Sequence, residues 1–247
     1  MGTHGQRRRP PTDGWIFALF ALGSLILFAR AWLHDHPEHD PWAPLDIADP
    51  AGWATSRKLT ALRADPGECR AFLERSKIGF ESLDPMGEGA CRRADRVVLA
   101  DDRASGRVLR PAAPRATCAV HAALAWWLRH EVQPAAEEIM GSRVATLEHL
   151  GTANCRRIGG GDSGNWSEHA TGNAIDIAGF VLEDGRRIRV LADWQGQDDD
   201  AARFLRAARD GACLAFSTVL SPEYNAAHAD HFHLDQASRM AGWSACR

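Results

Sequence analysis

The sequence predicts an α+β domain, a small antiparallel sheet with flanking helices, carried behind one N-terminal transmembrane helix. Three observations predict it. Apolar residues recur with a helical period up to Met140 and with strand alternation after it. Residues 15–29 form one uncharged apolar run. The 247 residues, 45% hydrophobic and 25% charged, have the balance of a globular chain of one ordinary domain, or two small ones at most. Helices first and strands afterwards is the order of an α+β layer structure rather than of alternating βαβ units.

The first element is the apolar run. Arg7, Arg8 and Arg9 precede it, and Arg30, Ala31, Trp32 and Leu33 follow. Counted to Leu33 it approaches the roughly 20 residues that span a bilayer as a helix. The arginine triplet holds the N-terminus in the cytoplasm, so everything beyond Leu33 is expected outside. Ala29-Arg30-Ala31 also fits a small-x-small cleavage site, but the length of the run and its bulky Trp and Phe favour an uncleaved anchor. The expected division is a cytoplasmic tail at 1–13, a signal anchor at 14–33, a linker at 34–52 and the folded domain at 53–247. Residues 34–44, rich in Pro, His and Asp, read as a solvated tether. Their three histidines are metal-ligand types, but the prolines deny them a fixed geometry.

Within the domain, helical spacing over 53–76 is interrupted near Asp65, Pro66 and Gly67. Short β-like pieces follow at 79–83 and 96–100, separated by Pro85, Gly87 and Gly89. Thr117 offers an N-cap for a helix reaching about Val132, with Val120, Leu124, Trp127 and Leu128 along one stripe. Trp126 and Trp127 read as core, and Pro134 opens a further helical turn through Met140. Then come a strand at 143–149, a Gly-rich loop at 151–164, and a hairpin pairing 174–181 with 187–191 around Glu183-Asp184-Gly185. A helix at 201–209 and strands at 216–220 and 231–234 complete the order. Gly159-Gly160-Gly161-Asp162 lacks the Lys-Ser/Thr ending and the following helix of a phosphate loop, and reads as a loop beside a cleft. Asp198, Asp199 and Asp200 read as the acidic start of a helix rather than a cation patch.

The formal charge of -3 gives no basic field to attract nucleic acid. All but two of the 29 basic residues are arginine, the exceptions being Lys58 and Lys77, a bias of coding composition rather than of mechanism. All six cysteines, Cys69, Cys91, Cys118, Cys155, Cys213 and Cys246, follow the apolar segment. An even number in an exported domain predicts disulfides, without favouring a pairing. C-x-x-C spacing is absent, which argues against a Cys-ligated metal.

Two segments concentrate the chemistry: Ser167-Glu168-His169-Ala170-Thr171-Gly172-Asn173-Ala174-Ile175-Asp176, and His228-Ala229-Asp230-His231-Phe232-His233-Leu234-Asp235. On a strand, His231 and His233 share one face while Phe232 takes the other, and Asp176 points opposite to Ile175 and Ile177. A carboxylate on an otherwise apolar strand needs a partner, because an unpaired buried charge is very costly. A divalent cation fills that need. His169, Asp176 and His233 would give a tetrahedral Zn2+ two neutral imidazoles and one carboxylate, leaving a position open, the ligand set of a catalytic rather than a structural site. Such an ion brings the pKa of water to about 7 and polarises a carbonyl, making amide hydrolysis feasible near neutral pH. His231 and Asp230 are candidates to take the proton. Gly172 permits a sharp turn between the first two ligands. Ser167 and Asn173 are expected to shape the loop, and Glu168 to be a solvated carboxylate.

The first segment matches the S-x-H-x-x-G-x-A-x-D motif of zinc peptidases that act on bacterial cell walls, the D-alanyl-D-alanine carboxypeptidases and dipeptidases and the penicillin-insensitive murein endopeptidases. The second resembles their closing H-x-H motif. The stretch 41–235 also resembles the bacterial extensin-like C-terminal domain family, on Trp42-Ala43-Pro44-Leu45-Asp46, Cys118 before the long helix, residues 167–180 and Asp230-His231-Phe232-His233-Leu234. The resemblance implies the hedgehog/DD-peptidase type of fold, zinc on His169, Asp176 and His233, and His231 as the catalytic or supporting imidazole. Those carboxypeptidases place a Glu general base three positions before the last His ligand. Asp230, one methylene shorter, stands there, and His231 or His228 would share its task. Arg156 resembles the arginine those enzymes set near substrate, so Arg156 and His228 are the expected substrate contacts.

The implied protein is a zinc peptidase anchored in the bacterial inner membrane, facing the periplasm and cutting an amide bond in peptidoglycan stem peptides or their cross-links. The competing class is a non-catalytic wall-binding or structural envelope protein that keeps the same fold.

Overall fold

The computed structural model describes residues 13–196, 199–238 and 245–247. Arg7, Arg8, Arg9 and Asp198 therefore lie outside the described residues. Helix α1 (Asp13–Asp35) has no buried residue from Gly14 onwards. Its 22 residues from Gly14 to Asp35, which contain an 18-residue window of mean hydropathy 2.1, are long and apolar enough to cross a membrane.

The segment expected as a loose tether is seated on the domain. Pro37–His39 forms a 3-10 turn, for which the proline pre-sets φ. The Lys58 ammonium donates to the Pro37 carbonyl. Leu45 is buried in the core, Ile47 packs against that core, and Arg75 donates to the Leu45 carbonyl at 3.1 Å. The prolines, expected to deny the segment a fixed geometry, sit in one instead, because composition carries no information about these distant apolar and cationic partners.

Helices α2 (Thr55–Ala61) and α3 (Pro66–Arg75) divide where expected, with Asp65 Oδ1 accepting from Glu68 N at 3.0 Å as the cap of α3. Strands β1 (Phe80–Ser82) and β2 (Val97–Leu99) pair with each other, antiparallel. Helix α4 (Cys118–Trp127) is buried on every face, so the single predicted stripe understates it. Instead of restarting at Pro134, the helical path continues through wide π-helical turns at Leu128–Val132 and Ala136–Met140 around a short α-helical turn, Gln133–Ala135. Pro134 has no N–H for the ladder, and widened turns are a way for a helix to absorb that loss.

The main sheet contains β3 (Leu109–Arg110), β4 (Val144–Gly151), β5 (Ala174–Leu182), β6 (Arg187–Arg189), β7 (Thr218–Leu220), β8 (Phe232–Asp235) and β9 (Ala245–Cys246). Its order is β3-β4-β5-β8-β7-β9, with β6 also on β5. Pairing is antiparallel except for β3–β4 and β7–β9. β8 pairs with the first half of β5 and β6 with the second. Leu191, predicted in the hairpin, instead belongs to the short helix α5 (Val190–Asp193). Helix α6 (Asp200–Ala215) extends beyond the predicted end, and Asp199 Oδ1 caps it by accepting from Ala201 N at 2.6 Å.

The core lies between the sheet and α4 and α6. Trp127 meets Phe180 and Phe216 edge-on, and its indole N–H donates to the Ala208 carbonyl of α6 at 2.8 Å. All six cysteines are paired: Cys69–Cys118 joins α3 to α4, Cys91–Cys155 joins the 3-10 turn Gly89–Cys91 to the loop after β4, and Cys213–Cys246 fastens β9 to α6.

Candidate metal centre

His169 sits on a 3-10 turn, Glu168–Thr171, that leads into β5. Ser167 Oγ accepts from His169 N at 3.3 Å, and Gly172, at φ 71°, ends the turn in the left-handed region that glycine enters without strain. The expectations for Ser167 and Gly172 hold. In β5, Ile175 and Ile177 enter the core and Asp176 faces the other way; in β8, Phe232 and Leu234 do the same and His233 and Asp235 oppose them. Asp176 and His233 are direct cross-strand partners, which sets their side chains against each other.

The turn and the two strands bring three donor atoms into a near-equilateral triangle. His169 Nε2, His233 Nδ1 and Asp176 Oδ1 are each 3.1 Å from the other two. A tetrahedral zinc ion with ligands at about 2.0–2.2 Å separates them by about 3.3–3.6 Å, so the triangle needs to open by only a few tenths of an ångström. When neutral His233 keeps its proton on Nε2 against Asp235, its Nδ1 and the Asp176 carboxylate oxygen are two acceptors 3.1 Å apart, which a shared proton or a cation reconciles. The residues present therefore fit the metal that the sequence pattern implies.

Burial alone would raise the Asp176 carboxyl, but hydrogen bonds from His169 and His233 hold it well below the usual carboxylate range. Burial opposes the charged form of His233, yet Asp176 and Asp235 together raise its pKa to about 9. A cation entering the triangle therefore displaces a proton.

Sequence reasoning missed Asp235. Its Oδ2 lies 3.0 Å from His233 Nε2, on the side away from the triangle. The available signal was its two-residue spacing from His233 on one strand. His231, immediately before β8, places Nε2 3.6 Å from Asp176 Oδ1, while its Nδ1 lies 2.7 Å from Asp230 Oδ1. His228 Nδ1 is engaged by Asn225 Oδ1 at 2.7 Å, and its ring lies 5.3 Å from that of His231. Burial, and then the cationic forms of His231 and His233, push the His228 pKa down to about 4. The exposed Arg156 borders a cavity of about 440 Å³ beside the ligand turn, shared with Arg157, Gly160, Gly161 and Trp166. The Gly-rich loop thus does flank a cleft. Ser167 N donates to the Arg156 carbonyl at 3.1 Å, tying this wall to the His169 turn.

Glu168 is not a free solvated carboxylate. Arg63 from the end of α2 reaches its two oxygens at 3.3 and 3.2 Å, and Asn173 Nδ2 donates to Oε2 at 2.6 Å. Arg63 Nη1 also donates to the Gln236 carbonyl just after β8, at 2.9 Å. One guanidinium therefore clamps the His169 turn to the strand of His233. Asn173 Oδ1 accepts from the Thr117 hydroxyl at 2.9 Å, extending the network to the cap of α4.

A family model described as the extensin-like protein C-terminus matches residues 67–247. No curated protein and no solved structure gives a significant match.

Proposed function

The chain belongs to the extensin-like C-terminal family, and on that premise we propose that it is a membrane-anchored zinc peptidase of the bacterial periplasm that hydrolyses an amide bond in peptidoglycan stem peptides or cross-links. The observation that carries the reading is the convergence of His169, Asp176 and His233 on one point, with the His231–Asp230 pair alongside. When bound, zinc supplies an acidified water and polarises the carbonyl it faces.

The chain's own groups divide the remaining work. His231 has Nδ1 occupied by Asp230, which leaves Nε2, the atom turned towards Asp176, to take the proton and return it to the leaving amine. Asp230 orients the ring and stabilises its charged form, the role of a carboxylate behind a catalytic imidazole. His228, with its pKa at about 4, is neutral at pH 7 and offers a hydrogen bond without adding charge. Arg156 supplies a guanidinium suited to a stem-peptide carboxylate.

The full chain in detergent, incubated with isolated peptidoglycan and muropeptides and followed by mass spectrometry, tests the proposal. A shortened peptide or an opened cross-link is expected, abolished by chelator and restored by zinc. Identical product profiles with and without chelator would refute it.

A further inference from the structure

The aromatic order at the outer end of α1 does not stop at the helix. Trp32 stacks on His36 and His39, with ring centroids 4.5 and 5.3 Å apart, and His39 stacks on Trp53 at 6.1 Å. Trp53 belongs to the domain and forms one wall of a shallow groove of about 260 Å³, lined also by His39, Trp126 and Leu214. Trp53 is 64% exposed and Leu214 46%. Both side chains border the same groove, Trp53 from the segment before α2 and Leu214 from α6. The segments that carry His39 and Trp53 are fixed by the Lys58 ammonium on the Pro37 carbonyl and by Gly52 N donating to Thr55 Oγ1 at 2.9 Å.

We propose that this groove is a membrane seat, with Trp53 and Leu214 resting in the headgroup zone of the same bilayer that α1 crosses. The proposal rests on α1 being a membrane span and is independent of the metal centre. Trp32 lies three residues before the end of α1, about 4–5 Å of helical rise. Trp53 stands two ring stacks beyond Trp32. The headgroup zone adds about 5–8 Å outside a hydrocarbon core of about 30 Å. With Trp32 at the hydrocarbon boundary, Trp53 falls in that zone or within a few ångströms of it. Tryptophan favours this depth because its ring is apolar and its N–H needs a polar partner. A second copy of the chain or a soluble protein is a different occupant, but only the bilayer is continuous with the groove through the Trp32–His39–Trp53 column.

The test uses the full chain in phosphatidylethanolamine/phosphatidylglycerol nanodiscs holding one copy each, a brief pulse of hydroxyl radicals, and peptide mass spectrometry. Trp53 is expected to oxidise several-fold more slowly than Trp166, although Trp166 is the less exposed of the two at 40%. Trp53→Gln is expected to raise oxidation of Leu214 relative to Tyr224. Oxidation of Trp53 at or above the Trp166 rate overturns the proposal. Protection confined to discs that hold two copies overturns it in favour of self-association. Failure of the chain to enter discs refutes the membrane span and the seat with it, and leaves the metal reading untouched.

Discussion

Asp235 holds His233 from behind: its Oδ2 lies 3.0 Å from Nε2, so Nδ1 is the nitrogen presented to His169 and Asp176. Fixing one ring nitrogen decides the tautomer and orientation of the other. Asp235→Ala is therefore expected to weaken zinc binding by about 10- to 100-fold. Competition against a chromophoric chelator measures it. Wild-type affinity in the variant would show that the strand alone orients the ring.

Arg63 tethers the turn of His169 to the strand of His233 through Glu168 and the Gln236 carbonyl. Arg63→Ala should lower zinc affinity by about 10-fold through misplacement of His169, since supporting groups of this kind act on ligand orientation. Arg63→Lys, a point charge without the planar fork, should restore only part of it. Equal affinities in all three proteins would reduce Arg63 to a stabilising contact.

His231 flanks the triangle without belonging to it, its Nε2 being 3.6 Å from Asp176 Oδ1. His231→Gln should lower kcat by about 100- to 10,000-fold while zinc affinity stays within about 2-fold of wild type. Parallel turnover and metal titrations separate the two. Loss of metal together with turnover would make His231 a ligand.

His121 lies wholly buried in α4, with Nε2 on the Val97 carbonyl at 3.0 Å. Burial, which outweighs the pull of the Val97 and Pro114 carbonyls, lowers its pKa from 6.5 to about 4. The unfolded chain thus takes up this proton first as pH falls. The contribution of His121 to stability is complete above pH 6.5, declines by up to about 1.4 kcal/mol per pH unit towards pH 4, and levels off below that. Urea titrations of the chain across this range should show a shallower decline for His121→Gln. Parallel pH dependences in the two proteins would contradict it.

The parts of the architecture written in local periodicity were legible in the sequence. Alternation around Asp176 and His233 told which face each residue takes, and the break at Asp65-Pro66 located the boundary between α2 and α3. What escaped notice depends on contacts across large sequence separations. Arg63 reaches Glu168 over 105 residues, and no spacing rule links them. The seating of Leu45 and the all-round burial of α4 likewise depend on neighbours that only folding supplies. Three disulfides were expected, but their pairing depends on which loops meet in space.

On the proposed zinc reading, the pairing of Asp176 with His233 across two adjacent strands would make ion uptake a built-in gauge of alignment. Sliding β8 by a single residue would turn Phe232 or Leu234 towards the cleft and drive both polar groups into the interior. A molecule that captures the cation has thereby certified its own sheet, and one mispaired during folding carries an oily patch where the donors should stand.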